Sequence, residues 1–78
     1  MFDYTISKDN NPKEFKKACQ KIEHLFPGIT KRKLIVDVDG TTIQTYTKNG
    51  KDIDVYDDYD IGAVFIKSEL DLSHAFAN

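Results

Sequence analysis

The sequence predicts a small α+β domain in which a single helix packs on one face of a mostly antiparallel sheet, in the order β-α-β-β-β-β. Three observations predict it. One segment, residues 12–26, carries apolar residues at helical spacing. The runs before and after it alternate apolar and polar residues, as half-buried strands do. Asp39-Gly40 and Asn49-Gly50 then interrupt the second half of the chain where tight hairpin turns belong. With 78 residues, a single domain over 1–78 is expected. A chain of this size buries roughly 60–65% of its unfolded surface, enough for one modest core with little room for a deep, walled site beside it.

The first element is read from "MFDYTISK". Phe2, Tyr4 and Ile6 point one way and Asp3, Thr5 and Ser7 the other, which is a strand with one apolar face. In "NNPKEFKKACQKIEHLFPG", Asn11 is a good N-cap, Pro12 suits the first helical position and Glu14 can close a capping box. Phe15, Ala18, Cys19, Ile22, Leu25 and Phe26 recur at intervals of three and four on one helical face. Pro27 and Gly28 end the helix. Its opposite face carries Lys13, Lys17, Lys21 and His24.

From residue 31 onward the pattern is that of strands. A two-residue Asp39-Gly40 turn would pair Val38 with Thr41 and Val36 with Ile43. For the second hairpin, a three-residue loop Lys48-Asn49-Gly50 would pair Ile43 with Val55 and Thr45 with Ile53. That register gathers Leu34, Val36, Val38, Ile43, Ile53 and Val55 on one face, whereas a slip of one residue would send every side chain to the other. The face left open then carries Lys33, Ile35, Asp37, Thr42, Gln44, Tyr46, Asp52, Asp54 and Tyr56. Residues 56–60 read as a loop and 61–67 as a last strand, with Gly62 marking a bulge or close packing. Residues 68–78 fit either a short helix capped by Ser68 or an edge strand.

Charge is distributed unevenly. Net charge is −2, yet residues 1–33 hold eight Lys/Arg against four Asp/Glu, and residues 49–78 hold two Lys against seven Asp/Glu. A bipolar chain of this kind suggests charged partners. No apolar run approaches a membrane span, and there is no apolar leader of signal-peptide type. The one cysteine, Cys19, cannot form an internal disulfide. A cytoplasmic protein that does not engage membranes is expected.

Candidate chemistry begins with "LIVDVDGTTI", residues 34–43. It resembles the first motif of the haloacid dehalogenase superfamily, an apolar strand ending in Asp-x-Asp-Gly-Thr. The resemblance implies Asp37 as nucleophile and Asp39 as acid/base around Mg²⁺ and a phosphoryl group, on a parallel sheet whose later strands supply further ligands. Beyond Gly40 the sequence reads as strands rather than βα units. A hairpin is therefore the expected use of the motif, since a short motif counts only in its structural context, and a phosphatase remnant is the weakest of three functional readings. Set on an EF-hand frame, Gly40 would bring Ile35 and Tyr46 to ligand positions they cannot serve. No catalytic residue, metal site or cofactor is expected. Cys19 reads as a buried structural thiol.

The reading the sequence favours is a non-enzymatic protein-binding module of inhibitor or adaptor type. Its surface would be the open sheet face and adjoining loop: Asp37, Tyr46, Asp52, Asp54, Tyr56, Asp57, Asp58, Tyr59 and Asp60. Tyrosine supplies rigid contact area, and the carboxylates would seek a basic protein surface, including one that normally holds nucleic acid. Mimicry of nucleic acid, of the sort mobile elements encode, is an analogy at this stage. The alternative from another class is nucleic-acid binding through Lys13, Lys17, Lys21, Lys31, Arg32 and Lys33, which could contact phosphates. An exposed edge strand leaves a homodimer open.

Overall fold

The computed structural model describes residues 1–76. It contains β1 (Phe2–Ser7), α1 (Pro12–Leu25), β2 (Thr30–Lys31), β3 (Ile35–Val36), β4 (Thr42–Lys48), β5 (Lys51–Asp58) and β6 (Ala63–Ser68). The sheet order is β1-β6-β5-β4-β2, with β3 beside β2 on the same side of β4. Every pairing is antiparallel. The helix packs on one face, against β1, β5 and β6. The α+β class, with one helix on one face of an antiparallel sheet, matches the sequence reading, although five strands rather than four follow the helix, and no helix among the described residues is long and apolar enough to cross a membrane.

The helix begins where the caps place it. Asn11 is extended (φ −155°) and its side chain accepts from the Glu14 N–H at 3.2 Å. Ala18, Cys19 and Ile22 are buried, while Phe15, Leu25 and Phe26 pack at the margin of the core. A 14-residue helix would be marginal alone; burial of this face is what holds it. Burial also pushes the Cys19 thiol pKa up, the opposite of what activates a thiolate.

Both hairpins differ from expectation by one residue. In the first, Ile35 pairs with Ile43 and Val36 with Thr42. The Asp37 N–H donates to the Thr41 carbonyl, so residues 38–40 form a three-residue loop with Gly40 at φ +92°. In the second, Lys48 pairs with Lys51 around a two-residue Asn49-Gly50 loop, with φ +52° and +77°. Two successive positive φ values are the signature of a type I′ turn, which suits the twist of the flanking strands. The two loop types are thus exchanged relative to the sequence reading.

The two shifts cancel for β3 and β5 and turn over β4 alone. Gln44 and Tyr46, expected outside, are 3% and 0% exposed, and Ile43 faces outward. Hydrogen bonds explain why this register wins. Thr45 and Thr47 lie opposite Asp54 and Asp52, and donate to them at 2.7 and 2.9 Å. The Tyr46 hydroxyl donates to the Glu23 carboxylate of α1 at 2.5 Å, and the Gln44 amide donates to the Arg32 carbonyl at 2.7 Å. Every polar group turned inward therefore has a partner, as burial demands. The Gln44 bond also bridges residues 32–34, where one extra residue splits the expected single strand into β2 and β3.

Residues 68–76 form neither of the two expected elements; residues 77–78 lie outside the described part. Ser68 ends β6. Asp71, not Ser68, caps a single turn: its carboxylate accepts from the Ser73 N–H, and the Leu72 carbonyl accepts from Ala75 and Phe76. The turn folds back on β1, with Leu72 and Phe76 buried and the Tyr4 hydroxyl accepting from the Leu72 N–H at 2.7 Å. The tail thereby completes the core beside the helix.

Candidate functional site

Because helix and tail cover one face, the other face of the sheet is open. Its centre is β5, where period two sends Ile53, Val55 and Asp57 inward and Asp52, Asp54, Tyr56 and Asp58 outward. Alternate residues of a strand lie about 6.8 Å apart, so this row runs for about 20 Å from Asp52 to Asp58. Tyr56 lies opposite Phe65 of β6, and the two rings stack at 4.7 Å and 10°. Burial against that ring and the Asp54 and Asp58 carboxylates both raise the Tyr56 phenol pKa, so it stays protonated at neutral pH.

The neighbouring strands complete the face. Tyr56 is flanked on its other side by Ile43, and Ile43 by Ile35. An apolar row therefore crosses four strands, Phe65–Tyr56–Ile43–Ile35, with carboxylates on either side of it. Asp54 faces Lys67, which in turn faces Asp3 of β1. The Glu69 carboxylate accepts from the Asp52 N–H at 2.8 Å. One ammonium, Lys67, thus sits among several carboxylates. A depression of ≈ 320 Å³ opens beside the row, lined by Arg32, Lys33, Ile35, Thr45, Asp52 and Asp54.

Several of the carboxylates are held in place. Asp52 and Asp54 accept from threonine hydroxyls. Asp58 accepts from the backbone N–H groups of Asp60 and Ile61, which shapes the turn before β6. Tyr59 and Asp60 are exposed on that turn. The Tyr59 N–H donates to the Thr41 hydroxyl, tying the turn to the first hairpin.

Two residues expected on this surface are not there. Tyr46 is core, for the register reason given above. Asp57 is 3% exposed and accepts from the Asn10 amide at 2.9 Å. It joins the loop before α1 to β5, as a structural strut rather than a contact group. Asp37 is exposed but stands at the end of β3, where its carboxylate accepts from the Val38 N–H at 2.8 Å. Asp39 likewise accepts from the Thr41 N–H, a bond that lowers its pKa. Both carboxylates of the Asp-x-Asp-Gly-Thr run are thus engaged in closing a hairpin. The parallel sheet that the haloacid dehalogenase resemblance implies does not form here.

The sequence reading missed Phe65 and Ile43. Phe65 was legible: in "AVFIKS", Val64 and Ile66 are buried and period two leaves Phe65 outside. Ile43 was not, because its side depends on the loop type.

The lysines of the alternative reading do not form one surface. Lys17 approaches Glu14 at 3.9 Å, Lys31 pairs with Glu23 at 3.3 Å, and Lys21 lies 5.0 Å above the Phe76 ring. Lys13 is exposed. The 31–33 cluster divides: Lys31 turns toward the helix, while Arg32 and Lys33 border the depression with Asp52 and Asp54. Comparison with protein-family models, curated proteins and solved structures finds no match to this chain.

Proposed function

We propose that this chain is a non-enzymatic protein-binding module whose open sheet face docks on a basic partner protein. The observation that carries the proposal is the arrangement of β5. Asp52, Asp54 and Asp58 stand on the face that neither helix nor tail covers, beside the stacked Tyr56–Phe65 pair. An apolar centre with a charged rim is the anatomy of a protein contact. The carboxylates repel phosphate and attract lysine and arginine, so the partner class is a basic protein. A protein that ordinarily holds nucleic acid is the version we favour. B-DNA carries a phosphate about every 3.4 Å along each strand; three carboxylates along about 20 Å of β5, with Tyr56 at the remaining outward position, imitate its field at about a third of that density. The module acts as an inhibitor or adaptor, with the cytoplasm as its setting.

The test uses three baits for capture from the native host, with bound proteins identified by mass spectrometry: the wild type, an Asp52→Asn/Asp54→Asn/Asp58→Asn variant, and a Lys13→Gln/Lys17→Gln variant. Asparagine keeps the acceptor oxygen that Thr45, Thr47 and the 58–61 turn use, so the fold is retained while charge is removed. Basic proteins eluted by salt from the wild type and the lysine variant, but lost from the asparagine variant, are expected. Loss with the lysine variant alone, together with direct binding of labelled DNA or RNA that weakens steeply with salt, would sink the proposal in favour of nucleic-acid binding.

A further inference from the structure

We infer that β3 is a self-complementary edge through which two copies of this chain pair antiparallel, joining their sheets. The stretch 34–38 holds four apolar residues around Asp37, yet they are exposed: Leu34 46%, Ile35 55%, Val36 64% and Val38 103%. The helix does not reach it, because α1 packs on β1, β5 and β6 at the other side of the sheet. In an antiparallel ladder, residues alternate between bonding their partner strand and pointing their N–H and C=O away. Asp37 bonds β4 through Thr41, so Val36 directs its backbone groups outward, and we extend that alternation past the start of β3 to Leu34. These groups form an open edge for another strand.

Charge selects the occupant and the register. Natural edge strands are commonly protected by charged flanks. Here the flanks are of opposite sign, Lys33 before the apolar residues and Asp37 after them, and neither belongs to an ion pair among the described residues. A two-fold axis through Ile35 sets Lys33 opposite the second copy's Asp37 and Leu34 opposite its Val36. Ile35 faces its own symmetry mate. Leu34 and Val36 then form the hydrogen-bonded pairs, matching the direction in which their backbone groups point. Moving the axis one residue along, to Val36, would set Ile35 against Asp37; moving it back, to Leu34, would set Lys33 against Ile35. Only the central register opposes apolar to apolar and cation to anion. It also continues the outer row, so that Phe65–Tyr56–Ile43–Ile35 meets its mirror at Ile35 and forms one apolar band flanked by carboxylates.

Sedimentation equilibrium from micromolar to millimolar concentration tests this. The wild type should reach twice the 8.9 kDa chain mass; a monomer throughout overturns the inference. Lys33→Glu alone and Asp37→Lys alone should each weaken self-association by about tenfold or more, because the axis repeats the like-charge contact. Mixing the two variants should restore dimers, since both contacts become attractive in the mixed pair. Singles that dimerise like the wild type, or a mixture no better than the singles, overturn the charge register. In a Cys19→Ala background, Ile35→Cys should cross-link under mild oxidation and Ile43→Cys, one strand further in, should not. Equal cross-linking of both, or of neither, places the axis elsewhere and overturns it as well.

Discussion

Tyr46→Phe removes one hydroxyl from the most telling contact between helix and sheet. The Tyr46 side chain is fully buried, and its hydroxyl donates to Glu23 at 2.5 Å and lies 3.5 Å from the Cys19 carbonyl. A hydrogen bond to a charged group contributes about 1.5–3 kcal/mol. Glu23 keeps 41% side-chain exposure, so water can replace the lost donor and the cost falls toward the low end, about 1–1.5 kcal/mol. The phenylalanine ring fills the same space, so no cavity opens. For a domain of this size each kcal/mol moves the melting temperature by about 4–8 °C, and a fall of about 5–10 °C at pH 7 is expected. The pH dependence has a definite sign. The Tyr46 hydroxyl, helped by the Lys31 ammonium, holds the Glu23 carboxyl below its ordinary value of 4.5. A depressed carboxylate contributes stability above its unfolded pKa and loses it as pH falls through the folded one. The gap between wild type and variant should therefore be full at neutral pH and narrow below pH 4.5. Thermal unfolding followed by circular dichroism across that range measures it. Equal melting temperatures at pH 7, or a gap that widens in acid, would refute the claim that this bond ties α1 to β4.

Two further perturbations probe the register and the strut at Asp57. Tyr46→Lys should unfold the domain, because it places a charge at a fully buried position, whereas Ile43→Lys on the open face should cost only about 1 kcal/mol; the reverse ranking in urea unfolding would restore the bulged register and with it an outward Tyr46. Asn10→Ala strips the Asp57 carboxylate of its amide partner and should cost about 2–3 kcal/mol, with much less lost when Asp57→Ala is already present; additive costs in that double-mutant cycle would mean that the 2.9 Å contact carries no coupling.

What was legible in the sequence followed from local rules with one dominant outcome. Asn11, Pro12 and the three-and-four spacing of Ala18, Cys19 and Ile22 leave a helix no other place or orientation. Asp52, Asp54 and Tyr56 alternate with Ile53 and Val55, so β5 could be assigned its faces from period two alone. Strand β4 could not. "TIQTYTK" holds one aliphatic and one aromatic residue of opposite parity, Ile43 and Tyr46, and hydrophobicity ranks the isoleucine first. The deciding facts lie elsewhere in the chain: Glu23 stands where it can accept the Tyr46 hydroxyl, and Arg32 offers a carbonyl to Gln44. Asp57 is misplaced by the reading of 56–60 as a loop: β5 runs on to Asp58, period two turns Asp57 inward, and the Asn10 amide meets it there at 2.9 Å. Side-chain hydrogen bonds across long sequence separations override the binary pattern here, and a pattern cannot register them.

The reversal of β4 alters the character of the open face more than its position. With Tyr46 outside, that face would have been a scatter of tyrosines among carboxylates. With Ile43 outside, it holds a continuous apolar row, Ile35–Ile43–Tyr56–Phe65, bordered by Asp52, Asp54 and Asp58. The two parts answer to different physics. Carboxylates on the rim act at a distance, so they govern encounter with a basic partner and are screened by salt. The apolar row acts only on contact, so it governs how long a partner stays. The row also ends at Ile35, on an edge whose backbone groups are unpaired on one side. If two copies meet there, the acidic rims lie side by side on one surface and the partner they suit becomes longer and more basic than a single chain could engage. The hairpin that closes with Asp37 and Asp39 is then the part that sets both the register of each sheet and the boundary of the joined face.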